Sequence, residues 1–397
     1  MKTKNKWIIV IAGMMLQLSI GSIYAYSVWI NPIHTLNKWD SNQLKLSFSL
    51  AICFLGLTAA FMQKFVRKIG SKNAGLLAAL FFGVGFVGSG FAIASQSVFL
   101  FYLFFGVISG IGLGFGYITP VSVVIKWFPE KPGFASGLVI MSFAVGSIIA
   151  SRLILPLIEL YGVSGTFYLL GCIYSLLMVL ASLCLSLPDS NTVTEISVQN
   201  SSIPLKILLT DVRFYSLWLF LFLNTTCGIA LISIAAPMAK DIIHINDSQA
   251  VNFVGLIGFF NGFGRLFWSS ASDKIGRWLT FFLFFTIGTS CFFILTQTRN
   301  TVLFQIMVFI IISCYGGAFA AMPAFAKDVY GPYKMSTPFG FILIAWSLAA
   351  FVGPGLLSFT KDYNIIFCFF AVILGFTSVF CLLVKRRMIY RQRLRNF

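Results

Sequence analysis

From Trp7 to Val384 the chain is a succession of apolar runs, each about one membrane thickness long, separated by short polar or basic breaks. Roughly twenty apolar residues make one helical crossing of a bilayer. The strands of a membrane β-barrel would read instead as short segments of alternating hydrophobicity, and these runs are continuous. They predict twelve membrane-spanning helices, at about 7–29, 43–62, 73–94, 98–124, 134–157, 164–187, 214–236, 250–271, 279–296, 301–325, 338–359 and 365–384. Asn31-Pro32 is expected to end the first helix, because proline withholds a backbone donor. Gly353-Pro354-Gly355 predicts a bend in the eleventh. The one long polar stretch, PDSNTVTEISVQNSSIPLKILLTD, begins at Pro188 and reads as a linker with a short surface helix at 205–209. The predicted organisation is therefore an N-terminal six-helix half (1–187), a cytoplasmic linker (188–212) and a C-terminal six-helix half (213–397) with a basic tail.

Composition agrees. Of 397 residues 58% are hydrophobic and 10% charged, with a mean hydropathy of +0.93; soluble domains carry about a quarter charged residues. The chain is an all-α, multi-pass membrane protein. A net charge of +17 would suggest a polyanion partner in a soluble protein. Here Lys64, Arg67, Lys68, Lys72, Lys126, Lys131 and the C-terminal basic run fall in alternate loops. Only Lys38, Lys240, Arg299 and Lys361 fall in the others. The positive-inside rule explains that bias and puts both termini in the cytoplasm, with no nucleic acid involved. The basic, apolar N-terminus reads as an uncleaved first span, and the short loops suit a bacterial inner (plasma) membrane. The eight cysteines lie in apolar runs without a C-x-x-C pair, so they read as small buried hydrophobes. No P-loop or intramembrane His/Asp/Glu cluster is present to drive a pump, hold a metal or run an enzyme; no cofactor is expected.

One stretch carries the chemistry: GLIGFFNGFGRLFWSSASDKIGRWLT, from Gly255 to Thr280. Arg265 lies near the middle of this span, where a charged side chain costs at least a few kcal/mol and faces protein or a cavity. A structural arginine would bond to backbone carbonyls or an acid. All eleven acids, however, lie in loops or at span ends, so the partner is read as an anionic cargo. Asn261 is one helical turn away on the same face. Arg152, another charge within a span, falls near the outer end, where it snorkels to headgroups or guides anions inward.

Two resemblances sharpen this. GRLFWSSASDKIGR, from Gly264 to Arg277, resembles the major facilitator signature between spans 8 and 9, which implies twelve helices in two halves and a gate made by Asp273 and Arg277. In the corresponding first-half loop Arg67 stands where that family has Asp. LSIGSIYAYSVWINPI, GFGYITPVSVVIKWFPEKPGFASG, NGFGRLFWSSASDKIGR and CYGGAFAAMPAF with DVYG resemble the oxalate/formate antiporter family and its pyruvate and lactate carriers, over nearly the whole chain. This resemblance implies a central site for a small carboxylate. Arg265 matches the family's substrate-binding arginine, and Tyr24, Trp29 and Tyr117 match its aromatic cavity. Tyr315 replaces a Trp, and Phe319 and Phe143 replace tyrosines. Trp346 stands where the oxalate carrier has a second cation, a lysine. One cation balances a monoanion and leaves a dianion uncompensated, so the reading favours pyruvate-, lactate- or formate-like monocarboxylates. The alternative is another small solute, such as oxalate, an amino acid or a nucleoside. Asn261 cannot take the proton that an acid would, which leans toward exchange with a counter-anion or facilitated transport over proton coupling. The drug antiporters' G-x-x-x-G-P-x-x-G is missing from GSIIASR in span 5. A monomer in the lipid bilayer is expected.

Overall fold

In the computed structural model, residues 5–188, 203–357, 360 and 362–395 are described, and among them every regular element is helical. Of the linker expected at 188–212, residues 189–202 lie outside the described residues, as does Lys361.

The first span is α1 (Lys6–Gly21), a 3-10 turn (Ser22–Ala25) and α2 (Tyr26–Asn37). α3 (Ser41–Phe61) and α4 (Gln63–Ala94) follow. The next span combines α5 (Val98–Phe101), a π-helical segment (Tyr102–Ile108) and α6 (Ser109–Trp127). α7 (Pro132–Cys184) is divided by Gly162, whose φ of 69° breaks the helix. After the short α8 (Leu205–Leu208) come α9 (Val212–Ile243), α10 (Asp247–Ile275), α11 (Arg277–Gln297) and α12 (Thr301–Tyr330). α13 (Ser336–Ile342) and α14 (Ile344–Leu356) form one interrupted span, and α15 (Tyr363–Arg395) ends the chain.

Ten helices among the described residues are long and apolar enough to cross a membrane. α10 is not among the ten, and α7 is counted once although Gly162 divides it. Phe99, Leu160 and Phe376 are 71%, 74% and 74% exposed, a surface that only lipid would cover. The chain is thus a multi-pass membrane protein.

A spacing recurs. Lys38 closes α2 in a left-handed conformation, Asp40 and Gln43 form a capping box, and Gly70 turns the chain at φ 83°. His244, Asn246, Gln249 and Gly276 (φ 87°) repeat those roles at the same intervals. Only glycine takes such a φ without strain. In this register Ala59 is the counterpart of Arg265, and Arg67 that of Asp273. The scaffold repeats, and the charges at these two positions do not.

Three details depart from expectation. Pro32 sits within α2, which continues to Asn37; the missing donor costs one bond, and Pro32 is close enough to the helix end to be tolerated. The basic stretch 63–72 is helical on both sides of Gly70, whereas a loop was expected. Gly353-Pro354-Gly355 is the last turn of α14, and the interruption lies at Leu343.

The N-terminal helices pack chiefly as α1 and α4 on α7 and as α3 and α4 on α6; the C-terminal ones as α10 on α12, α11 on α15 and α9 on α14. Glycines allow close approach there: Gly106 of the π-helical segment and Gly110 and Gly114 of α6 lie against α3, and Gly112 against the backbone of Phe82. Between the two groups α7 meets α10, and α3 meets α13 and α14.

Candidate functional site

Arg265 is 4% exposed, at the crossing of α10 and α7. Gly133 and Gly137 create that crossing: a Cβ on either would collide with Ser269, and one on Gly137 would also crowd the Arg265 carbonyl. Arg265 Nη1 donates to the Ile140 carbonyl of α7 (3.0 Å), and Nε donates to Asn261 Oδ1 (3.1 Å). The guanidinium lies over the Phe143 ring, 5.5 Å from its centroid. No carboxylate pairs with it among the described residues. These contacts hold the side chain in place without neutralising its charge.

Rings from both helix groups close around it. Trp346 is the hub: its ring lies 6.0 Å from Tyr24, 5.6 Å from Tyr117, 6.3 Å from Phe143 and 4.8 Å from Phe319, mostly edge to face. Tyr315 joins through Phe319 at 5.5 Å, and its phenol approaches that of Tyr24 closely enough to interact. Eight of the nine residues expected at a central site are therefore assembled. Trp29 is the exception. It stacks on Phe167 at 4.0 Å; five residues past Tyr24, it points about 140° away from that residue's face of the helix. Arg152 is exposed on α7 and takes no part in the cluster.

At the end carrying the basic loops the two groups are tied together. Asp273 accepts from the backbone N–H groups of Gly133 (2.9 Å) and Phe134 (2.7 Å), capping the start of α7 from the far side. Arg277 pairs with Asp273, donates to Ser272, and reaches Asp328 at 3.1 Å. Ser136 donates to the Ala320 carbonyl, and Lys327 to that of Pro129 (both 2.7 Å). Arg67, in the register of Asp273, donates to the Ser336 and Thr337 hydroxyls instead. Toward the other end α7 and α10 part. An added Cβ at Gly262 would touch Ala144 at 3.1 Å; at Gly258 and Gly255, farther along the same face, it would meet nothing within 4 Å.

Residues 8–354 match the family described as the Major Facilitator Superfamily. The chain belongs to that superfamily. It is a membrane transporter, and its relatives are transporters rather than enzymes. It is similar to the oxalate:formate antiporter of Oxalobacter formigenes, 25% identical over 89% of this chain and 84% of that one. It is also similar to monocarboxylate transporter 4 of Mus musculus, 25% identical over 80% and 70%. Among solved structures the Escherichia coli fucose:proton symporter FucP matches with a TM-score of 0.73 at 13% identity, covering 96% of this chain and 99% of that one; that likeness concerns the fold.

Within this superfamily member, three buried polar positions escape sequence reasoning. Gln17, fully buried, donates from Nε2 to the Tyr117 carbonyl (3.1 Å), and its own amide oxygen has no partner. Asn224 and Thr225 on α9 are buried with an unpartnered oxygen each, as is the Tyr117 hydroxyl. The available signal was polarity in the middle of an apolar run, as in MMLQLSI and FLNTTCG.

Proposed function

We infer that this transporter carries small organic monocarboxylates, pyruvate-, lactate- or formate-like, by alternating access. Two six-helix halves, 1–187 and 213–397, rock about the central cluster. Both termini lie in the cytoplasm, and the membrane is a bacterial inner membrane. The observation that carries this reading is Arg265: a buried guanidinium with no carboxylate partner among the described residues, at the level where the halves meet. Its planar fork suits a carboxylate, while the rings suit a short apolar body. Tyr24 and Tyr117 supply hydroxyls beside it, and Asn261 orients the guanidinium.

The oxalate:formate relative favours a second reading, a dicarboxylate cargo. Charge balance weighs against it, because Trp346 brings bulk and no charge to the cluster. A counter-anion fits the Asn at 261 better than a coupled proton does. Binding is tested by melting the purified protein with each acid. A ligand that binds only the folded state stabilises it by about 2.7 kcal/mol at a hundred times its Kd. Pyruvate or lactate is expected to raise the melting temperature more than oxalate does; a larger shift with oxalate selects the second reading.

Asp273, Arg277 and Arg67 form the inner gate in this reading, and the described state is closed on the cytoplasmic side. Losing the Asp273 cap costs about 1 kcal/mol or somewhat more and leaves Arg277 underpaired. Asp273→Ala is therefore expected to speed maleimide labelling of a cysteine placed at Ser136, in a background lacking the native cysteines, by about fivefold or more. Unchanged labelling removes Asp273 from the gate.

A further inference from the structure

Asn224 is a polar side chain beside the central cluster with no work assigned to it. It is 6% exposed, and its amide oxygen is buried without a hydrogen-bond partner. An amide left in that condition is costly unless something else binds it.

Its place follows from its neighbours on α9. Thr226 and Ala230 abut Gly353 of α14 on one side of the helix. Gly228, on another side, lies against the Tyr315 ring so closely that a Cβ there would overlap it. Asn224 is one turn before Gly228 and shares its face. α9 and α12 are antiparallel, being separated by three successive reversals of the chain. The turn of α12 level with Asn224 therefore carries Phe319, whose ring packs on Trp346 at 4.8 Å. Asn224 thus lies on the face of α9 turned toward α12, level with Phe319 of the aromatic cluster and a turn along from Tyr315.

We propose that the Asn224 amide binds a second polar group of the cargo, the oxygen on the carbon next to the carboxylate. It makes the site select 2-hydroxy and 2-oxo monocarboxylates over simple acids of the same length. This rests on the monocarboxylate reading above. A primary amide both donates and accepts, so it serves a hydroxyl or a keto oxygen alike. A site that hydrogen-bonds such an oxygen rejects the analogue lacking it, because its own polar group is then left unpaired. Arg265 holds the carboxylate, which all these acids share, and cannot discriminate among them.

The test is uptake of labelled lactate, pyruvate and propionate, which share a three-carbon skeleton, into proteoliposomes containing the full chain. In the wild type, lactate and pyruvate are expected to enter about tenfold faster than propionate, the usual worth of one hydrogen bond to a buried polar group. Asn224→Leu brings the ratio of oxygenated acid to propionate close to one, and Asn224→Ala reports the same ratio where the larger Leu does not assemble. Thr225→Val, which removes the neighbouring unpartnered hydroxyl, keeps the wild-type ratio, separating selectivity from a general effect of removing a buried polar group. A ratio unchanged in both Asn224 variants overturns the proposal while leaving the monocarboxylate reading intact. A wild type that does not distinguish propionate from lactate and pyruvate does the same. If none of the three acids enters wild-type vesicles, the monocarboxylate reading falls and the Asn224 proposal falls with it.

Discussion

Arg265→Gln is expected to reduce pyruvate or lactate uptake into proteoliposomes to background while leaving the empty protein at least as stable as the wild type. Removing one partner of a buried, hydrogen-bonded charge pair costs about 2–5 kcal/mol of binding, at least a thirtyfold loss of affinity. The empty protein should behave differently. There the guanidinium is held by the Ile140 carbonyl, Asn261 and the face of the Phe143 ring, none of them anionic, so its charge stays uncompensated away from water. A neutral Gln relieves that cost and keeps a donor for Asn261. The melting temperature without ligand should therefore not fall. Lost uptake together with a lower melting temperature would mark Arg265 as a structural tie between α10 and α7. Arg265→Lys keeps the charge and loses the fork, so intermediate uptake is expected.

The second large effect is a change of cargo. Trp346→Lys is expected to raise oxalate uptake relative to pyruvate by about tenfold or more, since each 1.4 kcal/mol of differential binding is a factor of ten. Trp346 is 3% exposed, with four rings of the cluster around it. A lysine there adds a second cation to the cluster that holds Arg265. Empty, the variant holds two like charges in a poorly solvated space; filled by a dianion, it is balanced. A monoanion balances only one of the charges, so pyruvate uptake should fall as oxalate uptake rises. The ratio of the two, measured in the same vesicles, checks this, and a ratio that does not move separates Trp346 from charge selection.

Much of this architecture could be read from the chain because bilayer thickness and apolar run length are tied together. Arg265 stood out for the same reason: it is the charge deepest in a span. The departures have local causes. Pro32 was expected to end its helix, but a proline near a helix end removes a single hydrogen bond, and α2 outlasts it. Trp29 was expected in the cavity from the family resemblance, yet five residues past Tyr24 even an unbroken α-helix points it about 140° away, and it packs on Phe167. Asn224 and Gln17 look like ordinary interruptions of apolar runs, and only packing reveals that each keeps an oxygen without a partner. The repeat that aligns Lys38, Asp40, Gln43 and Gly70 with His244, Asn246, Gln249 and Gly276 was present in the letters. It is a faint signal, because four matched positions spread over 33 residues, two of them of different type, stand among many unmatched ones.

The most direct measurement is the uptake of labelled pyruvate, lactate, formate and oxalate by the wild-type protein in proteoliposomes, in parallel, under one gradient. A single unpaired cation among aromatic rings predicts that at least one monoanion enters faster than oxalate. Oxalate entering fastest contradicts the charge balance drawn from Arg265 and Trp346. Uptake of none of the four contradicts the carboxylate cargo itself.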